Sequence, residues 1–240
     1  MKNFIIDYRP SQFKGVWGNQ RIKGVVESWA KKDRFSNSII IIGDYGTGKT
    51  TLSRLIARKI ICSTARNSIE ACGECAECLS PHLHIEEFDA TRRSVDEIKR
   101  YINRYAINLF TNRPVLYFDE IQRWYMKNQE IFLKPIEEIE NICFIFSTTS
   151  LGNIDPGIVS RSIILNVQTP SVEEMCEGLS LIAKENSIDI TDGALMKLIR
   201  ILKNNPRKCL NAFNILIDVD VRIDEQTLED DFIRKAVLQR

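Results

Sequence analysis

One stretch constrains this chain more than any other. Gly43-Asp44-Tyr45-Gly46-Thr47-Gly48-Lys49-Thr50 lies between the apolar run Ser38-Ile39-Ile40-Ile41-Ile42 and a periodic segment from Thr51 to Ile60. That order predicts a buried strand, a glycine turn and a helix N-terminus. Glycines permit torsions that a side chain forbids, so several N–H groups can converge on one anion. The helix start adds partial positive charge at the same point. The pattern predicts a cradle for the phosphates of a nucleoside triphosphate, built from Gly43, Tyr45, Gly46, Thr47, Gly48, Lys49, Thr50 and Thr51. Lys49 would reach the outer phosphates, and Thr50 would ligate magnesium.

A chain of 240 residues can bury a full core, as one large domain or two small ones. Its net charge of +1 gives no global attraction to nucleic acid, so any such contact must come from a local patch. No apolar run is long enough to span a bilayer, and Met1-Lys2-Asn3-Phe4 does not open a signal peptide. A soluble cytoplasmic protein is the expectation, in which seven cysteines point to metal binding or free thiols before disulfides.

Four of those cysteines are clustered: Cys62, then Cys72, Cys75 and Cys78. Paired Cys-x-x-Cys spacings let two thiolates grip one ion from a tight turn, and four thiolates complete a tetrahedral zinc site. An iron–sulfur cluster is the alternative for Cys-x-x-Cys-x-x-Cys. The ten-residue step back to Cys62 and the lack of a redox context favour zinc. A site closed by four thiolates is structural, with no open position for chemistry, and it leaves His82 and His84 as loop or strand residues.

A second apolar run, Pro114 to Phe118, ends in Asp119 and Glu120. In a parallel sheet the ligand crevice lies at the carboxyl ends of the strands. Asp119 would face the phosphate loop and help hold magnesium, and Glu120 would polarise the attacking water. Strands are also expected at His84–Asp89, Asn141–Ser147 and Ile163–Val167, alternating with helices, so the sheet should be parallel and three-layered. One of those helices runs from Ser94, a good N-cap, to about Leu109. Arg92, Arg93, Lys99, Arg100 and Arg104 on and before it form either a solvated face or a phosphate-contact patch. Another helix should run from about Tyr125 to Glu138 and kink or end near Pro135. After Thr169-Pro170 the pattern turns all-helical, with helices at about Ser171–Asn186, Thr191–Asn204 and Pro206–Val219. An amphipathic stretch from Asp224 to Gln239 follows.

Taken together these motifs resemble an AAA+ ATPase, and more narrowly the bacterial DNA polymerase III gamma/tau clamp-loader family. Five features carry the narrower resemblance. They are Tyr8-Arg9-Pro10 with Phe13 and Gly18-x-Gln20; the four-cysteine insertion; Asp89-Ala90-Thr91-Arg92; Phe132-Leu133-Lys134 with Glu137-Glu138; and Ser147-Thr148-Thr149 ahead of Ser160-Arg161. The resemblance implies a P-loop AAA+ core with a parallel five-stranded sheet in three layers, a four-cysteine zinc insertion and a small helical lid. The expected domains are a core at 1–169 with its zinc module at about 62–80, a lid at 170–222 and a helical tail at 223–240.

It also implies roles for single residues. Tyr8, Arg9 and Pro10 would lie near the adenine, and Thr149, with Thr148 less directly, would sense the γ-phosphate. Arg161 would enter a neighbouring subunit's ATP site, and Arg207 would contact the nucleotide of its own subunit. ATP, Mg2+ and Zn2+ are the implied cofactors. The implied partners are other clamp-loader subunits in a ring or spiral, a sliding clamp and primer-template DNA. Some positions depart from the family pattern. Ser162 stands where a cysteine is usual, Ile139 where a proline is usual, and Ile121-Gln122 where valine and histidine are usual. The chain stops where the family's collar domain would begin. An ATP-switched regulatory or assembly protein, and another AAA+ DNA motor, are the competing functions.

Overall fold

The structure is a computed structural model that describes residues 3–89, 94–107, 113–218 and 222–229. Ala90-Thr91-Arg92-Arg93 and the stretch beyond 229 lie outside the described residues. In chain order the helices and strands are α1 (Phe4–Asp7), α2 (Gln20–Lys32), β1 (Ser38–Ile42), α3 (Lys49–Ile61), α4 (Ala76–Leu79), β2 (Ile85–Asp89), α5 (Val95–Ile107) and β3 (Val115–Asp119). Then come α6 (Met126–Gln129), α7 (Leu133–Glu138), β4 (Cys143–Thr148), α8 (Pro156–Ser160), β5 (Ile163–Asn166), α9 (Val172–Glu185), α10 (Asp192–Ile201) and α11 (Pro206–Leu216). The chain divides into two compact units: residues 20–45 with 49–167, and residues 1–19 with 46–48 and 168–240.

The larger unit is built on a five-stranded sheet of order β2-β3-β4-β1-β5. Every pairing in it is parallel. Ile39, Ile40 and Ile41 are fully enclosed, as expected for a parallel strand covered on both faces. Period-two alternation sorts the side chains between those faces. Ile40, Leu116, Phe118, Phe144 and Phe146 pack with Ile98 and Ile102 of α5 and Ile136 of α7. Tyr117, between two of them, faces Ser53 of α3 on the other side. Phe118 is the hub of the first face. Its ring stacks on Phe88 at 4.7 Å and on Phe146 at 5.5 Å, and meets Phe132 edge-on at 4.7 Å.

The register decides what stands at the carboxyl edge. β4 lies between β1 and β3, pairing Ile42 with Thr148 and Phe118 with Phe146. The residues that follow β1, β3 and β4 therefore open onto one edge of the sheet.

The smaller unit is helical. Its core joins Phe4 to Met175, Leu179, Leu195, Leu198 and Phe213. Each main helix starts at a side-chain cap. The Ser171 hydroxyl accepts from the Glu174 N–H in a full capping box. Thr191 and Asn205 cap α10 and α11, and Pro206 stands at the first position of α11, where no partner for its missing N–H is needed. The N-terminal residues Phe4–Asp7 form α1. Its backbone N–H at Phe4 donates to Asn214 Oδ1 at 3.0 Å.

Three expectations about helix extent are corrected. The single helix from Tyr125 to Glu138 is broken into α6, a 3-10 turn at Glu130–Phe132 and α7. Pro135 does not kink a helix interior; it sits in the first turn of α7, where a backbone N–H would have no intrahelical acceptor. Helix α10 stops at Ile201 rather than Asn204, because Lys203 and Asn204 take left-handed torsions at φ 55° and 53°. Of the expected final helix, the described part holds a 3-10 turn at Thr227–Glu229.

Candidate functional site

Between β1 and α3 the backbone makes a turn that needs glycine. The Gly43 N–H donates to the Thr148 carbonyl at 3.2 Å, which ties the start of the loop to β4. Gly46 and Gly48 have φ of 78° and 103°, where L side chains are strained. A Cβ on Gly46 would also stand 2.6 Å from Asn205 Oδ1 and 3.0 Å from the Arg207 Cβ, all within one unit. The Arg207 N–H donates to the Gly46 carbonyl at 3.3 Å. Lys49, the first residue of α3, is only 5% exposed. Its Nζ donates to the Asp44 carbonyl at 3.0 Å and lies 5.2 Å from the Tyr45 ring centre. Thr47 is buried, Tyr45 is exposed, and Thr50 and Thr51 are half-buried in the first turn of α3.

The second cluster forms where β3 and β4 end. The Thr50 hydroxyl donates to Asp119 Oδ2 at 3.2 Å, although 69 residues separate them. The Ser147 hydroxyl donates to the other carboxylate oxygen of Asp119. The same Ser147 Oγ accepts the Glu120 N–H at 3.1 Å. That bond holds Glu120 in a left-handed conformation, φ 56°, which costs a non-glycine residue about 1–2 kcal/mol. Ser147 therefore orients both carboxylate residues, and the sequence reading passed over it. Gln122 was noted only as a departure, yet its Nε2 donates to Glu120 Oε2 at 2.6 Å and to Thr149 Oγ1 at 3.3 Å. Thr148 is enclosed and its hydroxyl donates to the Ser150 carbonyl at 2.8 Å, so Thr149 is the threonine joined to the carboxylates.

Two groups of expected site residues make bonds of their own. Arg161 caps the end of α8, where it forms an ion pair with Glu137 and donates to the Gly157 carbonyl at 3.0 Å. Tyr8, Arg9 and Pro10 follow α1. The Tyr8 hydroxyl donates to Glu185 Oε2 at 3.0 Å and accepts from Asn186 Nδ2 at 2.6 Å.

Cys62, Cys72, Cys75 and Cys78 bring their Sγ atoms within 4.8 Å of one another. The Cys72 and Cys78 sulfurs are 3.8 Å apart, and a tetrahedron with Zn–S bonds of about 2.3 Å requires roughly that spacing. Backbone N–H groups already point at the sulfurs. Those of Glu74 and Cys75 donate to Cys72 Sγ at 3.3 and 3.2 Å, and that of Cys72 donates to Cys62 Sγ at 3.3 Å. The Thr64 hydroxyl and these backbone bonds lower the Cys72 thiol to about 6. Burial pushes Cys78 up to about 12. The donor set, spacing and N–H groups fit a bound zinc ion. Cys72 is then a thiolate near neutral pH, whereas Cys78 must lose a proton to the solvent as metal binds. Zinc affinity should therefore rise with pH, with proton release on binding at pH 7, and fall progressively as pH drops through 6. Zinc titration against a chromophoric chelator across pH 5.5–8.5 checks this; affinity independent of pH would remove the thiolate site.

A parallel sheet with a phosphate loop after β1 and paired carboxylates after β3, followed by a separate helical unit, defines a P-loop nucleotide-binding protein of the AAA+ class. Solved structures carry the same fold. The Thermotoga maritima RuvB Holliday junction branch migration motor superposes with a TM-score of 0.67 at 20% identity, over 95% of this chain and 72% of that one. Residues 18–171 match the family described as DNA polymerase III, delta subunit, and the chain belongs to that family. It is also similar to DNA polymerase III subunit gamma/tau of Mycoplasma genitalium, 29% identical over 88% of this chain and 36% of that protein. The DNA polymerase III subunit gamma of Buchnera aphidicola subsp. Acyrthosiphon pisum is 26% identical, over 88% of this chain and 60% of that protein. The chain thus spans between about a third and three fifths of the length of these two relatives. Among the described residues no helix is long and apolar enough to cross a membrane.

Proposed function

We propose that this chain is an ATP-dependent clamp-loader subunit. ATP binding would assemble it with neighbouring subunits to open a sliding clamp on primer-template DNA, and hydrolysis would release both. The observation that carries the reading is the 3.2 Å bond from Thr50 to Asp119, which joins the phosphate loop to the carboxylate edge. The similarity to gamma and gamma/tau subunits supports the replicative role.

In this reading the N–H groups of Gly43–Thr50 and the Lys49 ammonium bind the phosphates. Thr50 and Asp119 hold a magnesium ion, which supplies neutralising charge. Glu120 orients the attacking water and takes up its proton, and Thr149 contacts the γ-phosphate. Arg161 serves the site of the next subunit, where it would have to exchange its bond to Glu137 for the developing phosphate charge. Arg207 contacts the nucleotide of its own subunit, and Tyr8, Arg9 and Pro10 lie at the base. Cys62, Cys72, Cys75 and Cys78 hold a structural zinc ion that stabilises the insertion.

ATP hydrolysis measured with and without primer-template DNA, clamp and partner subunits tests the reading. The expected result is slow turnover by the chain alone and strong stimulation by the assembly, since Arg161 acts in a neighbour. Stimulation that survives Arg161→Ala together with an unchanged monomer mass under ATP would reject it.

A further inference from the structure

Gln122 carries a bond pattern that the proposed mechanism has not used. It lies in the 3-10 turn Ile121–Arg123 that follows the paired carboxylates. Its amide nitrogen has two protons, and two acceptors receive from it: Glu120 Oε2 at 2.6 Å and Thr149 Oγ1 at 3.3 Å. The amide's orientation follows from the chemistry. An ionised carboxylate only accepts, so the group facing Glu120 must be the NH2 and not the carbonyl. The other end of the amide, Oε1, is enclosed and has no hydrogen-bond donor among the described residues. An enclosed acceptor without a partner costs about 1–3 kcal/mol, so packing alone does not account for a glutamine here.

The pattern has two consequences. First, the donated proton fixes the Glu120 carboxylate, whose backbone is already held in a left-handed conformation by Ser147. Arg123 approaches the same oxygen only at 3.6 Å from an exposed position, so the amide is the nearer restraint. Second, Thr149 accepts from Gln122, which uses a lone pair of its hydroxyl and leaves its single proton to donate elsewhere. A hydroxyl held this way is set to donate to an anion.

We propose that Gln122 is a positioning residue that links Thr149 to Glu120, so that the hydroxyl facing the γ-phosphate and the carboxylate facing the water are held by one amide. This rests on the reading of Glu120 and Thr149 given above. It adds that phosphate contact and water activation are coupled through one side chain, bonded to both Glu120 and Thr149.

The test is steady-state ATP hydrolysis by the full chain, with nucleotide affinity measured separately by titration of a fluorescent ATP analogue. Gln122→Met keeps the volume and removes both donors. We expect kcat to fall about 10–100-fold, the loss that follows when a reacting group is displaced by about 1 Å. KM and analogue affinity should stay within about twofold, since uniform binding is untouched. In a double-mutant cycle with Thr149→Val, the combined loss should be smaller than the product of the single losses. A Gln122→Met chain with unchanged or raised kcat overturns the proposal. So does a KM that rises in step with the loss, or losses that simply multiply. If the unmodified chain, with primer-template DNA, clamp and partner subunits present, hydrolyses ATP no faster than Lys49→Ala, the ATPase reading falls first, and this proposal falls with it.

Discussion

Lys49→Ala should lower ATP-analogue affinity and hydrolysis, with hydrolysis falling by about 10²–10³-fold, the loss expected when a preorganised donor is taken from developing phosphate charge. Lys49 opens α3, is 5% exposed, and its ammonium is held by the Asp44 carbonyl and the Tyr45 ring inside the loop that would surround the phosphates. Burying an ammonium costs desolvation energy, and removing it relieves that cost. The unfolding midpoint should therefore stay level or rise while binding collapses. Lys49→Arg should also fail, because a planar fork cannot replace a compact point charge in a closed loop. Analogue titration and thermal unfolding on the same preparations decide the matter. Wild-type affinity in Lys49→Ala would mean that the loop does not hold the phosphates.

The other large effect is on stability. Phe118→Ala should cost about 3–5 kcal/mol, the usual range for emptying a buried aromatic position. Phe118 is fully enclosed and touches Phe88, Phe132 and Phe146, so three rings lose a partner at once. For a unit of this size that corresponds to a fall in Tm of roughly 6–20 °C. The substitution lies next to Asp119, and the same relaxation should loosen the carboxylate edge. Circular dichroism melts measure the first effect. A loss under about 1 kcal/mol would show that the neighbouring rings close the cavity.

Much of this architecture was legible because it is local. The run from Ser38 to Ile42, the glycines and the periodic α3 lie in one continuous stretch, and each step depends on neighbours a few residues away. The N-caps Ser171 and Thr191 and the first-turn Pro206 were legible for the same reason. So was the cysteine cluster, where three of the four cysteines fall within seven residues. Local reasoning failed where a short-range rule had two outcomes. Pro135 can kink a helix or begin one, and the sequence does not say whether the chain has already left helical geometry before it.

The turn at residues 43–50 and the cysteine turn at Cys72–Cys78 were legible in the sequence alone, because glycine torsions and cysteine spacing are properties of consecutive residues. The joining of Phe4 to Phe213, of Thr50 to Asp119 and of Ser147 to both carboxylate residues is settled only by tertiary structure. The contacts among Thr50, Asp119, Ser147 and Glu120 exist because β4 inserts between β1 and β3 in a particular register. A shift of one residue would turn Ser147 to the opposite face and leave the Glu120 N–H without its acceptor, the Ser147 hydroxyl. Gln122 shows the same limit most clearly: in the chain it is a polar residue after Asp119-Glu120, and only the register of β4 brings Thr149 within reach of its amide.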